Sequence, residues 1–166
     1  MSTWARPADL DLTVVTMRGW WRGAWWDCTG RPWMAPSPAI PDPDTALAYL
    51  ATVYLEGTKW SEGRGTRSPF TVVAGPERPI TVSWSDREIF RPVATGVRLL
   101  EALCQRDGPR WRDGGHTLDL LFGSAELRER LERGHSVEPL IQRGLDEAHA
   151  FAVDAASSHL YPPRPA

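Results

Sequence analysis

Two glutamates six positions apart, Glu56 and Glu62, lie in a glycine-bearing stretch that also carries an arginine, Arg64 (EGTKWSEGRGT, residues 56–66). Paired carboxyl groups are the usual equipment for cleaving a glycosidic bond, one protonating the departing oxygen and one acting as base or nucleophile. Glycine lets a backbone approach a ligand closely, so such a stretch can hold carboxylates beside a substrate. Glu56 and Glu62 are therefore the candidate catalytic residues. Glu56 is preferred because it follows an apolar helix, the half-buried kind of position from which general acids work. The same residue type also fits a carboxylate that braces the loop by accepting backbone N–H groups, and the residues leave both roles open. Arg64 carries a planar fork that pairs with a carboxylate through two parallel hydrogen bonds, which makes it the candidate for holding an acidic ligand; bonding to loop carbonyls is its alternative. The hydroxyls of Thr58, Ser61 and Thr66 and the indole of Trp60 complete the candidate binding set, although loop Ser and Thr often satisfy their own backbone.

The elements that must position this loop are legible on either side of it. Asp42-Pro43-Asp44 has the form of a helix start, with proline in the first turn and carboxylates at the positive end, and predicts a helix through Thr45 to Leu55. Short strands are expected at Phe70 to Val73 and Ile80 to Trp84, joined by the turn Gly75-Pro76-Glu77-Arg78-Pro79. From Arg91 the period becomes helical, with Val93, Val97, Leu100 and Cys104 on one face and a stop at Asp107-Gly108-Pro109. Ser124 caps a segment over 125–133 that Gly134 closes. Ser136 opens a longer helix with an apolar stripe from Val137 through Leu140, Ile141, Leu145, Ala148, Phe151, Ala152 and Ala155 to His159. Upstream, Leu10 to Met17 (LDLTVVTM) reads as a strand apolar on both faces. With no parallel neighbour encoded before it, that strand predicts pairing with the small sheet, across a homo-oligomer, or with a complementary chain. The expected fold is α+β: a small mixed sheet with three to four packed helices in a single domain over residues 1–166.

Composition narrows the function classes. The net charge of -2 and the lack of a Lys/Arg stripe give no electrostatic footprint for nucleic acid or an anionic membrane. No apolar run is long enough to span a bilayer, and the N-terminus does not read as a signal peptide, so the chain as written is expected in the cytoplasm, or else is a mature form whose export signal is gone. Cys28 and Cys104 form no disulfide framework or zinc pattern, and His116, His135, His149 and His159 have no metal-ligand spacing. No phosphate-binding or dinucleotide fingerprint occurs. Neither metal nor cofactor is expected. Nine tryptophans are many for 166 residues. An indole offers a rigid stacking face for a sugar, but core packing is the expected role of Trp20, Trp25 and Trp33, whereas Trp21, Trp26 and Trp60 are freer to be exposed.

The loop resembles the signature of the NamZ-like exo-β-N-acetylmuramidases, glycosidases that trim terminal N-acetylmuramic acid from peptidoglycan fragments. The likeness extends upstream through Gly19-Trp20, Trp25 to Gly30, Pro32-Trp33, Pro36-Ser37-Pro38 and Pro43 to Leu47. Downstream it takes in Pro69-Phe70, Ser85-Asp86-Arg87, Phe90 to Val93, Thr95-Gly96, Phe122-Gly123 and Leu160-Tyr161. On this resemblance the chain corresponds to the C-terminal part of a family member, with a lead-in over 9–45, the signature loop over 56–70 and a helical part over 91–161. A Rossmann-like domain is then expected to be missing before Leu10. The resemblance implies a muramic-acid-containing sugar or peptidoglycan fragment as ligand, a lactyl carboxylate for Arg64 to meet, and a place of action that in this family includes the cell envelope. Lys59, Ala39 and Ser83 depart from the family pattern, each removing a polar group of the kind that orients a sugar or water. The sequence thus carries three readings forward: a reduced muramidase, a carbohydrate-binding module or pseudoenzyme that works with a partner chain, and a degenerate or excised fragment with no role of its own.

Overall fold

The computed structural model describes residues 11, 13–75 and 77–163. The chain divides into two units, Trp33–Arg143 and the pair of segments Met1–Pro32 and Gly144–Ala166. The first of these carries the signature loop. Its helix α1 (Pro43–Thr52) starts as the sequence dictates, with the Asp42 carboxylate accepting from the Thr45 amide at 2.6 Å and Pro43 in the first turn. The inward face of α1 is built from small residues, Thr45, Ala48, Ala51 and Thr52, all buried. Small residues allow close approach: at Gly96 on the partnering helix, a Cβ would lie 2.1 Å from the Ala51 carbonyl oxygen. After Thr52 the helix tightens into a 3₁₀ turn, Val53–Gly57, which delivers Glu56 to the loop.

Strands β1 (Val72–Val73) and β2 (Ile80–Thr81) pair antiparallel, Val72 opposite Thr81 and Val73 opposite Ile80. They are shorter than the sequence suggests because Phe70 and Ala74 flank β1 with φ of 62° and 73°, which takes both residues out of the extended region. The turn residue Pro76 lies outside the described residues. Helix α2 (Pro92–Asp107) turns Ala94, Val97, Leu100, Leu103 and Cys104 inward and ends at Gly108, whose φ of 74° only glycine adopts without strain. Helix α3 (His116–Phe122) had no separate signal in the sequence; it begins after Gly114 and Gly115, two positive-φ residues that reverse the chain. Helices α4 (Glu126–Glu132) and α5 (Glu138–Ala155) begin one residue later than the expected serine caps. The N-cap of α4 is Ala125, without a side-chain cap bond, and Ser124 Oγ and Ser136 Oγ accept from Glu126 N at 3.4 Å and Glu138 N at 3.3 Å from the position before each cap. The α+β class is as expected, realised among the described residues as five α-helices, where three to four were expected, with an antiparallel two-stranded sheet in place of a mixed one. One core joins Leu55, Trp60, Val73, Val97, Leu100, Leu103, Leu118, Leu127 and Val137. Arg98 closes this core's edge by a fork–fork pair with Glu138, at 2.6 and 2.8 Å.

In the other unit the expected strand Leu10 to Met17 is not formed: residues 13–17 have no ladder partner, and Val15 is 89% exposed. Leu10 and Leu12 of that segment lie outside the described residues. An apolar stretch becomes a strand only when another strand takes up its N–H and C=O groups, and among the described residues none does. Of the three pairings expected for this segment, the one with the small sheet β1–β2 is not formed among the described residues. The segment's end is instead held by a single bond, Met17 N donating to the Tyr161 hydroxyl at 3.1 Å, and further on Arg22 N donates to Pro162 O at 2.8 Å. The apolar stripe of the last helix is buried only at its start: Leu140 is covered, whereas Leu145 and Phe151 are exposed. The far end of the tail, 164–166, lies outside the described residues.

Candidate functional site

Residues 56–74 fold back on themselves through backbone bonds. Phe70 N donates to Glu62 O at 2.8 Å, Val72 N to Ser68 O at 3.1 Å and Ala74 N to Ser61 O at 2.8 Å. Gly63 sits at the crossing, with φ of +82° and the Val72 carbonyl oxygen 2.5 Å from where a Cβ would be. The base of the loop is clamped from the other side. Lys59 N donates to Arg110 O at 2.8 Å and Arg112 N to Gly57 O at 3.0 Å, with Thr58 and Trp111 forming a bridge. Gly57 has no room for a side chain, because a Cβ there would lie 2.6 Å from the Leu118 amide nitrogen.

This frame brings three of the predicted residues together. The Arg64 guanidinium bonds through Nη2 to the Glu56 carboxylate, and its Nε stands 3.2 Å from Glu62 Oε1. Beneath it lies the ring of Phe70, 4.8 Å from the guanidinium carbon to the ring centroid, and Phe70 is itself packed edge-on against Tyr49 at 4.9 Å. The hydrogen bond to Glu56 holds Arg64 above its already high ordinary pKa, against the opposing effect of partial burial, so the group is a fixed cation. The cluster opens to solvent: the side chains of Arg64, Glu56 and Glu62 are 45%, 29% and 16% exposed. Among the described residues, Nη1 of Arg64 takes no acceptor and remains the donor available to a ligand. With two carboxylates on one guanidinium, the cluster carries a formal charge of about −1 at neutral pH.

The remaining predicted residues divide. Ser61 and Thr66 sit at the surface of the loop and line an open cavity of about 410 Å³ with Gly63, Arg67, Ser68 and Val72. Both hydroxyls also serve the backbone, Ser61 Oγ accepting from Gly63 N at 3.0 Å and Thr66 Oγ1 donating to Gly63 O at 2.7 Å. Thr58 is buried, its hydroxyl donating to Leu55 O at 2.8 Å and accepting from Trp60 N at 3.2 Å. Trp60, which the sequence suggested was free to meet a ligand, is only 4% exposed. It joins the core edge-on to Trp111 at 6.4 Å, and its Nε1–H donates to Asp107 at 3.2 Å. An indole flanked by a glycine-rich loop is as easily a lid on the core as a platform for a ligand, and here the core takes it. Bonds first from Arg106 and then from Trp60 hold the Asp107 carboxyl below its ordinary pKa. The residue that sequence reasoning passed over is Phe70, the platform under Arg64. Its place in the Pro69-Phe70 pair that ends the signature is the only trace it leaves in the sequence.

Among the described residues, no group of three or more His, Cys, Asp or Glu side chains is placed to hold a metal ion, and no helix is long and apolar enough to cross a membrane.

Comparison with known proteins agrees with the signature. The model of the C-terminal part of exo-β-N-acetylmuramidase NamZ matches residues 47–79 and 78–161, and that of its N-terminal part matches residues 1–44. The peptidoglycan β-N-acetylmuramidase NamZ of Bacillus subtilis (strain 168) is 30% identical over 173 residues, spanning 80% of this chain and 41% of that protein. Two crystal structures of DUF1343 family proteins from Bacteroides fragilis NCTC 9343 share the fold. One has a TM-score of 0.74 at 20% identity, covering 86% of this chain and 49% of that one. The other has a TM-score of 0.59 at 23% identity, covering 78% and 44%. The chain thus spans about two-fifths of the length of the curated relative.

Proposed function

The chain belongs to the NamZ family of exo-β-N-acetylmuramidases, and from that premise we propose that it recognises the terminal N-acetylmuramic acid of peptidoglycan fragments through Arg64. The observation that carries this reading is the exposed guanidinium on the Phe70 ring, held there by Glu56 and Glu62. The lactyl carboxylate of muramic acid distinguishes it from N-acetylglucosamine. A cation with an unused N–H edge is the group that reads that difference. The two glutamates fix the guanidinium in place, so little side-chain freedom is lost on binding. They also repel an incoming carboxylate, a cost that the ligand's own bonds to the guanidinium must exceed. Ser61 and Thr66 face the adjoining cavity and are proposed to meet sugar hydroxyls, while Thr58 and Trp60 keep the loop in shape from inside.

Hydrolysis by this chain is the finer proposal, with Glu56 as general acid and Glu62 as base. One geometric feature favours a second reading, recognition without turnover. Both carboxylates converge on a single guanidinium, whereas glycoside cleavage sets its two carboxyl groups on opposite sides of the scissile bond. A chromogenic N-acetylmuramic acid glycoside separates the two. Release of chromophore that Glu56→Gln abolishes supports hydrolysis. Calorimetric binding of N-acetylmuramic acid without release supports recognition alone. Absence of both rejects the site.

A further inference from the structure

The unit formed by Met1–Pro32 and Gly144–Ala166 contains an open cavity of about 840 Å³ that the signature loop does not share. Trp20, Trp21 and Trp26 line it together with Arg18, Arg31 and Thr29. We infer that this pocket is a second ligand site, for a carboxylate-bearing oligosaccharide stacked on the indoles and held by the two arginines.

Several observations meet here. Tryptophans gathered to build a core interdigitate and leave no void of this size, so indoles around an open cavity are surfaces held in reserve for something else. The volume lies in the range of pockets that enclose small ligands, and it admits more than one sugar ring. The lining contains no Asp or Glu, and among the described residues neither Arg18 nor Arg31 has an acidic partner. The lining thus offers two guanidiniums and no carboxylate, in contrast to the Glu56–Arg64–Glu62 cluster. Its polar demand is also unmet: the Trp21 Nε1–H is buried and has no acceptor among the described residues, a state that a ligand oxygen would relieve on repacking of the ring. Trp26 by contrast is anchored, its Nε1–H donating to Arg31 O at 3.2 Å, which fixes a stacking face next to one of the arginines. Two guanidiniums suit one or two discrete carboxylates. A nucleic-acid backbone calls for a longer basic track, which a chain of net charge -2 without a Lys/Arg stripe does not provide. Aromatic faces with isolated carboxylate receptors describe an acidic saccharide.

This inference concerns a different unit from the signature loop and holds whether or not Arg64 binds a sugar. Its test uses the full chain labelled with 5-fluorotryptophan, with each ¹⁹F resonance assigned by a single Trp→Phe change. The ligands are N-acetylglucosaminyl-N-acetylmuramic acid and the neutral disaccharide chitobiose, which lacks the carboxylate. The expected result is saturable movement of the Trp20, Trp21 and Trp26 resonances by the acidic disaccharide, at least tenfold weaker movement by chitobiose, and loss of at least tenfold in affinity in the R18Q/R31Q variant. Trp111, in the other unit, reports whether that variant remains folded. The inference is overturned if these three resonances stay still, whether or not Trp60 beside the signature loop moves. Equal response to the two disaccharides, or a response to oligothymidylate in their place, also overturns it.

Discussion

Replacing Gly63 by alanine tests whether the signature loop is held by the crossing seen at β1. Two costs add at this position. The backbone has φ of +82°, and an L-residue in the left-handed region costs roughly 1–2 kcal/mol. The new Cβ would also stand 2.5 Å from Val72 O, 3.1 Å from Ser68 O and 3.3 Å from Phe70 N. All three are backbone atoms that cannot swing aside, and forcing the loop off the strand costs about 1–3 kcal/mol. Against this, alanine restricts the unfolded chain and returns about 0.4–1 kcal/mol. The net expectation is a loss of about 2–4 kcal/mol. Gly65 is the internal control: its φ is +77°, but nothing lies within 4 Å of a Cβ there. Gly65→Ala carries only the backbone cost, about 1 kcal/mol after the same offset. Urea unfolding followed by far-ultraviolet circular dichroism measures both variants, and an unchanged slope shows that stability alone has moved. If Gly63→Ala is no more damaging than Gly65→Ala, the loop does not cross β1 as described.

Three further outcomes follow from the same geometry. Trp60→Phe should lower stability by about 1–3 kcal/mol, because it removes volume from a buried ring, while leaving affinity for N-acetylmuramic acid unchanged; a selective loss of affinity would restore Trp60 to the ligand surface. Burial pushes the Cys104 thiol up to about 12, so at pH 8 a disulfide reagent should titrate the exposed Cys28 rapidly and Cys104 only on unfolding, and equal rates would contradict the packing of α2. Asp107, Glu126 and Glu138 are held below their ordinary pKa by bonds from Arg106, Arg143 and Arg98 respectively. Their contribution to stability is therefore present above the unfolded carboxylate range and is lost as pH falls through the lower folded values. Melting temperature should drop on acidification below about pH 4, and Asp107→Asn should flatten that profile; an unchanged profile would show that the Asp107 network carries no linkage.

Much of the helical unit could be read directly. The Asp42-Pro43-Asp44 start and the Gly108 stop are local signals that survive into the fold, and the two serines mark the starts of α4 and α5 to within one residue. What could not be read depended on distant partners. Leu10 to Met17 has the composition of a strand, but strand formation needs a neighbour that the pattern cannot name. The stripe from Leu145 to His159 has a helix's period, which specifies an apolar face and not what covers it. The site was legible as a set of residues and not as a geometry. Glu56, Glu62 and Arg64 stood out by type and spacing, and all three meet. Trp60 and Thr58 share the same motif, yet face inward because Asp107 at the edge of the core and the buried Leu55 carbonyl offer them partners. Phe70 was legible only as the last residue of the signature, since nothing in its spacing shows that a guanidinium will lie on it.

The central claim is that Arg64 reads the carboxylate of a muramyl sugar, and a two-by-two calorimetric cycle measures it most directly. N-acetylmuramic acid and N-acetylglucosamine are each titrated into the native chain and into Arg64→Ala, so that the lactyl group and the guanidinium are removed separately and together. The account predicts a coupling of about 1–2 kcal/mol between them, the strength of a hydrogen bond to a charged group reduced for solvent exposure. Additivity within about 0.3–0.5 kcal/mol would show that the guanidinium and the carboxylate never meet, and the proposed recognition would fall.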